Sequence, residues 1–143
     1  MPNTSNIGRD HYRHFLTIPT RWMDNDVYGH VNNVVYYSFF DTVVNKFLIE
    51  QGQLDYSKGK VVGLVVETKC QYFAPIAFPD VVVAGIRVAH IGMSSVRYEI
   101  GLFKNDEGNP AAEGYFVHVY VTRSGNKRTP LSTEMRSVLA KIS

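Results

Sequence analysis

The sequence predicts an α+β fold in which a curved antiparallel β-sheet wraps around one long central α-helix. Three observations predict it. Residues 34–50 are apolar around most of a helical circumference, broken only by a narrow polar stripe of Ser38, Asp41, Thr42, Asn45 and Lys46 at three- and four-residue spacing. Four segments of two-residue alternation follow, joined by short links rich in turn formers. A helix so widely apolar must be covered, and with so few other elements a sheet curled about it is the available cover.

Each element has its own signal. Residues 1–13 are polar and without periodicity and read as a flexible N-terminal arm of a single domain that spans residues 1–143. Phe15, Leu16, Ile18 and Trp22 mark a first strand ending near Trp22. Residues 23–33 are dense in turn formers and run straight into the helix, whose β-branched and aromatic residues are mediocre helix formers, so burial must hold it. Residues 60–73 set Val66, Thr68, Cys70 and Tyr72 on one face against Glu67, Lys69 and Gln71, and the first half of this strand is expected to be buried on both faces. Residues 80–91, 95–104 and 113–123 complete the sheet, and residues 132–142 carry a weak helical spacing through Met135, Val138, Leu139 and Ile142 that could cap an edge.

The 143 residues suit one hydrophobic core, with 45% hydrophobic and 20% charged residues as in a globular protein. Fifteen Lys plus Arg against thirteen Asp plus Glu give a net charge of +2, too small for nucleic-acid binding by the whole surface. The single cysteine, Cys70, excludes an intramolecular disulfide. No apolar run is long enough to span a bilayer and the N-terminus has no apolar signal region, so the expected location is cytoplasmic. Nine Tyr and eight Phe exceed what a core of this size requires, which points to a pocket or an interface.

Asp24, Asp26, Gly29, His30, Asn32 and Asn33 crowd into the strand-to-helix junction. An EF-hand alignment would put Tyr28 and Val35 at ligand positions, so calcium lacks ligands. For zinc, His30 would need partners from His11, His14, His90 or His118, which show no paired spacing. One reading is an ordinary cap: Asn32 or Asn33 meets orphan N–H groups, Gly29 takes a positive φ, and the Asp residues favour the helix dipole. The other is catalytic. A helix start offers free N–H donors that can hold the charge developing on a carbonyl oxygen, and Asp26 just upstream could attack the carbonyl carbon or activate water. A thioester suits such a site because its thiolate leaves with little protonation.

The run WMDNDVYGHVNNVVYY at residues 22–37, followed by the apolar helix and four strands, resembles the hotdog-fold thioesterases of the 4-hydroxybenzoyl-CoA thioesterase type, including acyl-CoA thioesterases associated with bacterial Tol-Pal operons. The resemblance covers nearly all of residues 15–123. It implies that Asp26 is the nucleophile or general base and that the backbone N–H near Asn33 polarises the thioester. The Gly29 to Asn33 run is also similar to acyl-ACP thioesterases, in which His30 would match a functional histidine; those enzymes carry Asn where this chain has Tyr28, so His30 is kept as an accessory residue. Gly29, Tyr28, Ser94 and Ser95 are the candidate substrate-binding positions, the two serines because relatives contact the pantetheine arm there.

The expected activity is hydrolysis of acyl-CoA or aryl-CoA to free acid and CoA, with no metal and no cofactor beyond the CoA of the substrate. An acyl-ACP thioesterase and a non-catalytic acyl-binding protein are the alternatives. Cys70 lies on a strand rather than at a helix start and reads as a buried thiol, and Glu67 as a solvated strand residue. Arg87, Arg97, Arg123, Lys127 and Arg128 could meet CoA phosphates. The outer face and edge left by a single sheet are expected to be closed by another copy of the chain, as a homodimer or a dimer of dimers.

Overall fold

A computed structural model describes residues 7–55 and 57–143. Its five strands are β1 (His14–Pro19), β2 (Val61–Tyr72), β3 (Val81–Ile91), β4 (Ser95–Lys104) and β5 (Ala112–Thr122). They form one sheet in the order β1-β3-β4-β5-β2, every neighbouring pair antiparallel. Helix α1 (Asn33–Glu50) lies on one face, and α2 (Thr133–Ala140) closes the core at the far end of α1 through Met135, Val138 and Leu139. No helix among the described residues is long and apolar enough to cross a membrane.

The expectation of a curved sheet wrapped around the helix is corrected. The sheet is open, with β1 and β2 as free edges, and it underlies α1 instead of enclosing it. The reason lies in the helix. Its buried residues, Tyr36, Phe39, Phe40, Val43, Val44, Phe47 and Leu48, fall on one arc, while Val34 and Ile49 are exposed along with Ser38, Asp41, Thr42 and Lys46. One arc needs one covering layer. The first half of β2 is likewise not buried on both faces: Val61, Leu64, Val65 and Val66 are exposed because β2 pairs with β5 alone. A register shift between Val65 and Glu67 puts a bulge in that edge at Val66.

Of the segment read as an arm, residues 1–6 lie outside the described residues, and residues 7–13 pack on the outer face of the sheet. A 3₁₀ turn at Arg9–His11 leads into Tyr12, which is buried over Gly85 and Gly101 beside Phe103. A Cβ on Gly101 would stand 2.6 Å from the Tyr12 ring, so glycine is what lets the ring lie flat on β4. The first strand stops at Pro19, and Trp22 starts a 3₁₀ turn (Trp22–Asp24) that carries the chain to the site.

Candidate functional site

The junction between β1 and α1 is held at three points. Thr20 bonds the Asp80 carbonyl through its N–H (3.3 Å) and its hydroxyl, and Val31 N–H donates to the Ile76 carbonyl at 2.7 Å. Between them Asp24 is buried, and its carboxylate accepts from Arg21 N–H (2.8 Å), Nε (3.1 Å) and Nη2 (2.8 Å). Asp24 therefore braces the loop: all of its strong acceptor capacity toward Arg21 is spent on closing the 3₁₀ turn.

Asp26 opens a tight turn. Its carbonyl accepts from Gly29 N–H at 3.0 Å, its own N–H donates to the His30 carbonyl at 2.8 Å, and Gly29 takes φ +80° to close the loop. The Asp26 Oδ1 accepts from Tyr28 N–H at 2.8 Å, which fixes the side chain, while no hydrogen bond to Oδ2 occurs among the described residues. Asp26 shares a hollow of about 520 Å³ with Trp22, Met23, Asn25, Val27 and Gly29.

Seven residues on, α1 begins with an Asn cap. Asn32 Oδ1 accepts from Val34 N–H at 3.0 Å and the Asn32 carbonyl accepts from Val35 N–H at 2.9 Å, so Asn32 is the cap and the Val34 and Val35 donors are engaged. The Asn33 N–H has no partner among the described residues. It borders a shallow depression of about 270 Å³ lined by His30, Tyr36, Tyr72, Phe73 and Pro75. Tyr72 Oη reaches the Asn33 carbonyl at 3.5 Å and its ring meets Tyr36 edge-on at 4.8 Å. Tyr72 is the residue that sequence alone did not single out, since strand alternation assigns it a face but not the helix end opposite it. His30 is exposed at the rim, with its carbonyl tied to Asp26.

Ser94 and Ser95 are elsewhere. Ser95 starts β4 and Ser94 directly precedes it, at the end of the sheet away from Asp80 and about 30 Å along the strand from the loop anchor, and one chain does not bring them to Asp26. Arg123, Lys127 and Arg128 follow β5 at that same far end, whereas Arg87 is paired with Glu99 at 3.0 Å and Arg97 stacks over Tyr115 at 3.8 Å. Glu67 accepts from the Tyr115 hydroxyl at 2.5 Å on the outer face. Burial pushes the Cys70 thiol up to about 11, which keeps it protonated and removes it as a nucleophile. Among the described residues no group of three His, Cys, Asp or Glu is placed to hold a metal ion.

Around the junction the surface is apolar. Trp22 (76% exposed), Met23, Val27 (94%), Tyr28 (84%) and Val34 (75%) all face outward within thirteen residues of chain.

The PA5185 protein of Pseudomonas aeruginosa strain PAO1 has the same fold with a TM-score of 0.93, at 51% sequence identity, over 95% of each chain. The PA2801 protein of the same species is similar at 28% identity and a TM-score of 0.81, covering 88% of this chain and 97% of its own. A thioesterase of Thermus thermophilus, solved in complex with coenzyme A and Zn, is 28% identical with a TM-score of 0.76, covering 91% of this chain and 94% of its own. The Thioesterase-like superfamily matches residues 20–139, which takes in the junction, the helix and the whole sheet except β1. The chain belongs to that superfamily, as a hotdog-fold protein of the 4-hydroxybenzoyl-CoA thioesterase type.

Proposed function

We propose that this protein hydrolyses acyl-CoA or aryl-CoA thioesters to the free acid and CoA, with Asp26 as nucleophile or general base and the Asn33 N–H as oxyanion donor. The observation that carries the proposal is the unpaired Asn33 N–H at the first turn of α1, next to a turn that holds a carboxylate with one oxygen open. Bound against this donor, the thioester carbonyl would be polarised as negative charge gathers on its oxygen. Asp26 would either add to the carbonyl carbon, giving an acyl-aspartyl anhydride that water then cleaves, or take a proton from the attacking water. In both cases CoA departs as a thiolate. Membership of the superfamily and the coenzyme A complex of the Thermus thermophilus relative support CoA as the carrier.

The site is completed in this proposal by a second copy. Antiparallel pairing of two β2 edges would set the far end of one chain, with Ser94, Ser95 and the Arg123 region, beside the junction of the other, and would cover Leu64, Val65 and Val66. Gly29 and Tyr28 would then border the bound substrate and His30 would stand at its rim. A cytoplasmic setting accords with the lone thiol of Cys70.

The test is a screen of purified protein against CoA thioesters from short to long chains, with benzoyl and phenylacetyl types included and free thiol as the measured product. Turnover of at least one class that Asp26→Asn abolishes supports the proposal; absence of thiol release from every thioester refutes it.

A further inference from the structure

We propose that Trp22, Met23 and Val27 form the acyl-binding wall of the junction and select a large, uncharged, apolar acyl group, which deepens, and rests on, the thioester hydrolysis proposed above. Asp26 lines the hollow of about 520 Å³ together with Trp22, Met23, Asn25, Val27 and Gly29. The carboxylate that is to meet the thioester carbonyl and three sizeable apolar side chains thus border one space. All three are exposed within six residues of chain, and Trp22 is the only tryptophan in the sequence. Tryptophan is well covered on average in folded proteins, and apolar side chains gathered on a surface mark a binding site.

The wall stands on a braced backbone. Trp22 opens the 3₁₀ turn that the bonds between Arg21 and Asp24 close, and its indole meets the Phe78 ring edge-on at 6.0 Å. Phe78 is tied to the same loop: its N–H donates to Asn25 Oδ1 at 3.0 Å, and the Asn25 N–H donates to the Trp22 carbonyl at 3.3 Å. Met23 lies within that turn. Val27 lies within the next one, which the Gly29 N–H closes on the Asp26 carbonyl at 3.0 Å. A backbone held in this way presents the apolar side chains before any ligand arrives, which lowers the ordering cost of binding.

The chemistry of the two spaces at the junction decides which part of the substrate each takes. A thioester carbonyl bound between Asp26 and the Asn33 N–H sends its acyl group to one side and its sulfur, with the pantetheine arm, to the other. The depression beside Asn33 is lined in part by His30, Asn33 and Tyr72, whose polar groups suit the amides of pantetheine, whereas the Asp26 hollow is mainly apolar. Of the two polar side chains in that hollow, Asn25 gives its Oδ1 to Phe78, and Asp26 repels a second carboxylate, which disfavours dicarboxylic acyl groups. No lining side chain is cationic. A cavity of about 150 Å³ holds a six-carbon ring, so this hollow has room for an acyl group of about ten carbons.

The sole tryptophan makes the test direct, because indole emission moves to shorter wavelength when the ring leaves water. The full-length protein is titrated with two non-hydrolysable thioethers, S-ethyl-CoA and S-decyl-CoA. Without ligand the emission is expected to be that of a solvated indole. S-decyl-CoA should shift it to shorter wavelength saturably and bind at least about tenfold tighter than S-ethyl-CoA, which should leave it in place. Val27→Asp changes an exposed position and should melt as the wild type does, yet reduce the preference for S-decyl-CoA by about tenfold. In hydrolysis, kcat/KM should rise at least about tenfold from butanoyl-CoA to decanoyl-CoA in the wild type and not in Val27→Asp. Equal affinities for the two thioethers, or a preference that survives in Val27→Asp, would overturn the proposal. So would an emission already at short wavelength without ligand, which would mean that a second copy of the chain covers Trp22. Failure here and failure of thioester hydrolysis are told apart by the two readouts: chain-length-dependent binding with no thiol released from any thioester keeps the wall and removes the hydrolysis, whereas turnover indifferent to the acyl group with an unmoved emission removes the wall alone.

Discussion

Asp24 and Asp26 are two residues apart and have opposite employment. Asp24 is buried with three donors from Arg21, so Asp24→Asn turns an amide NH₂ or a weaker acceptor toward those donors and should cost about 2 kcal/mol of stability, measured by urea unfolding. Asp26 keeps one carboxylate oxygen open at the surface of the junction. Asp26→Asn should unfold at the wild-type urea midpoint and lose on the order of a hundredfold or more in kcat, because the amide neither attacks nor takes a proton. The proposed oxyanion donor is tested at the neighbouring backbone. With Asn32 as the cap, Asn33→Ala removes no capping side chain and should stay active, whereas Asn33→Pro deletes the unpaired N–H at a first-turn position where proline is tolerated and should lower kcat by about a hundredfold. A folded Asn33→Pro protein with wild-type turnover would dismiss this donor, and Val34 cannot replace it without giving up its bond to Asn32.

At the scale of the element, β5 carries a pH dependence. His118 sits on it among Tyr98 and Tyr120 and shares a hollow with Arg123, and burial lowers its folded value to about 4 from an unfolded 6.5. The unfolded chain therefore binds a proton between pH 6.5 and pH 4 that the folded chain refuses. Stability from this group is complete above pH 6.5 and is lost as pH falls toward 4, by about 3 kcal/mol in all. Urea midpoints at about pH 7 and about pH 4.5 should show that loss in the wild type and a smaller one in His118→Phe, where the remaining acid sensitivity belongs to carboxylates such as Glu99. Burial opposes ionisation of Glu99, but hydrogen bonds from His11 and Arg87 outweigh it and hold its carboxyl below the usual range.

For the whole molecule the exposed β2 edge and the apolar collar at Trp22, Val27, Tyr28 and Val34 are surface a lone chain would hold at a cost in solubility. Light scattering at micromolar concentration should give at least twice the 16.2 kDa chain mass. Val66 stands exposed at the bulge, so Val66→Lys should leave the single-chain fold intact while shifting the mass toward the monomer and lowering turnover with it. A wild-type monomer would remove the second copy from the proposed site.

The amino-acid sequence by itself determined the elements and the local turn and cap between them. Alternation in residues 95–104 and the stripe from Ser38 to Lys46 report local periodicity, and the Asp, Gly and Asn residues of 24–33 report a turn and a cap, since each depends on neighbours within a few positions. Tertiary structure decided what depends on distant pairing. Strand order made β2 an edge, so its valines are exposed where an apolar run suggests a buried strand. Register placed Ser94 and Ser95 at the opposite end of the sheet from Asp26, brought Tyr72 to the start of α1, and left the buried Nε2 of His118 without a hydrogen-bond partner among the described residues. Helix periodicity marks an apolar arc but not how much of it is covered; that is settled by how far a sheet extends, which is a property of long-range hydrogen bonding and not of any window of residues.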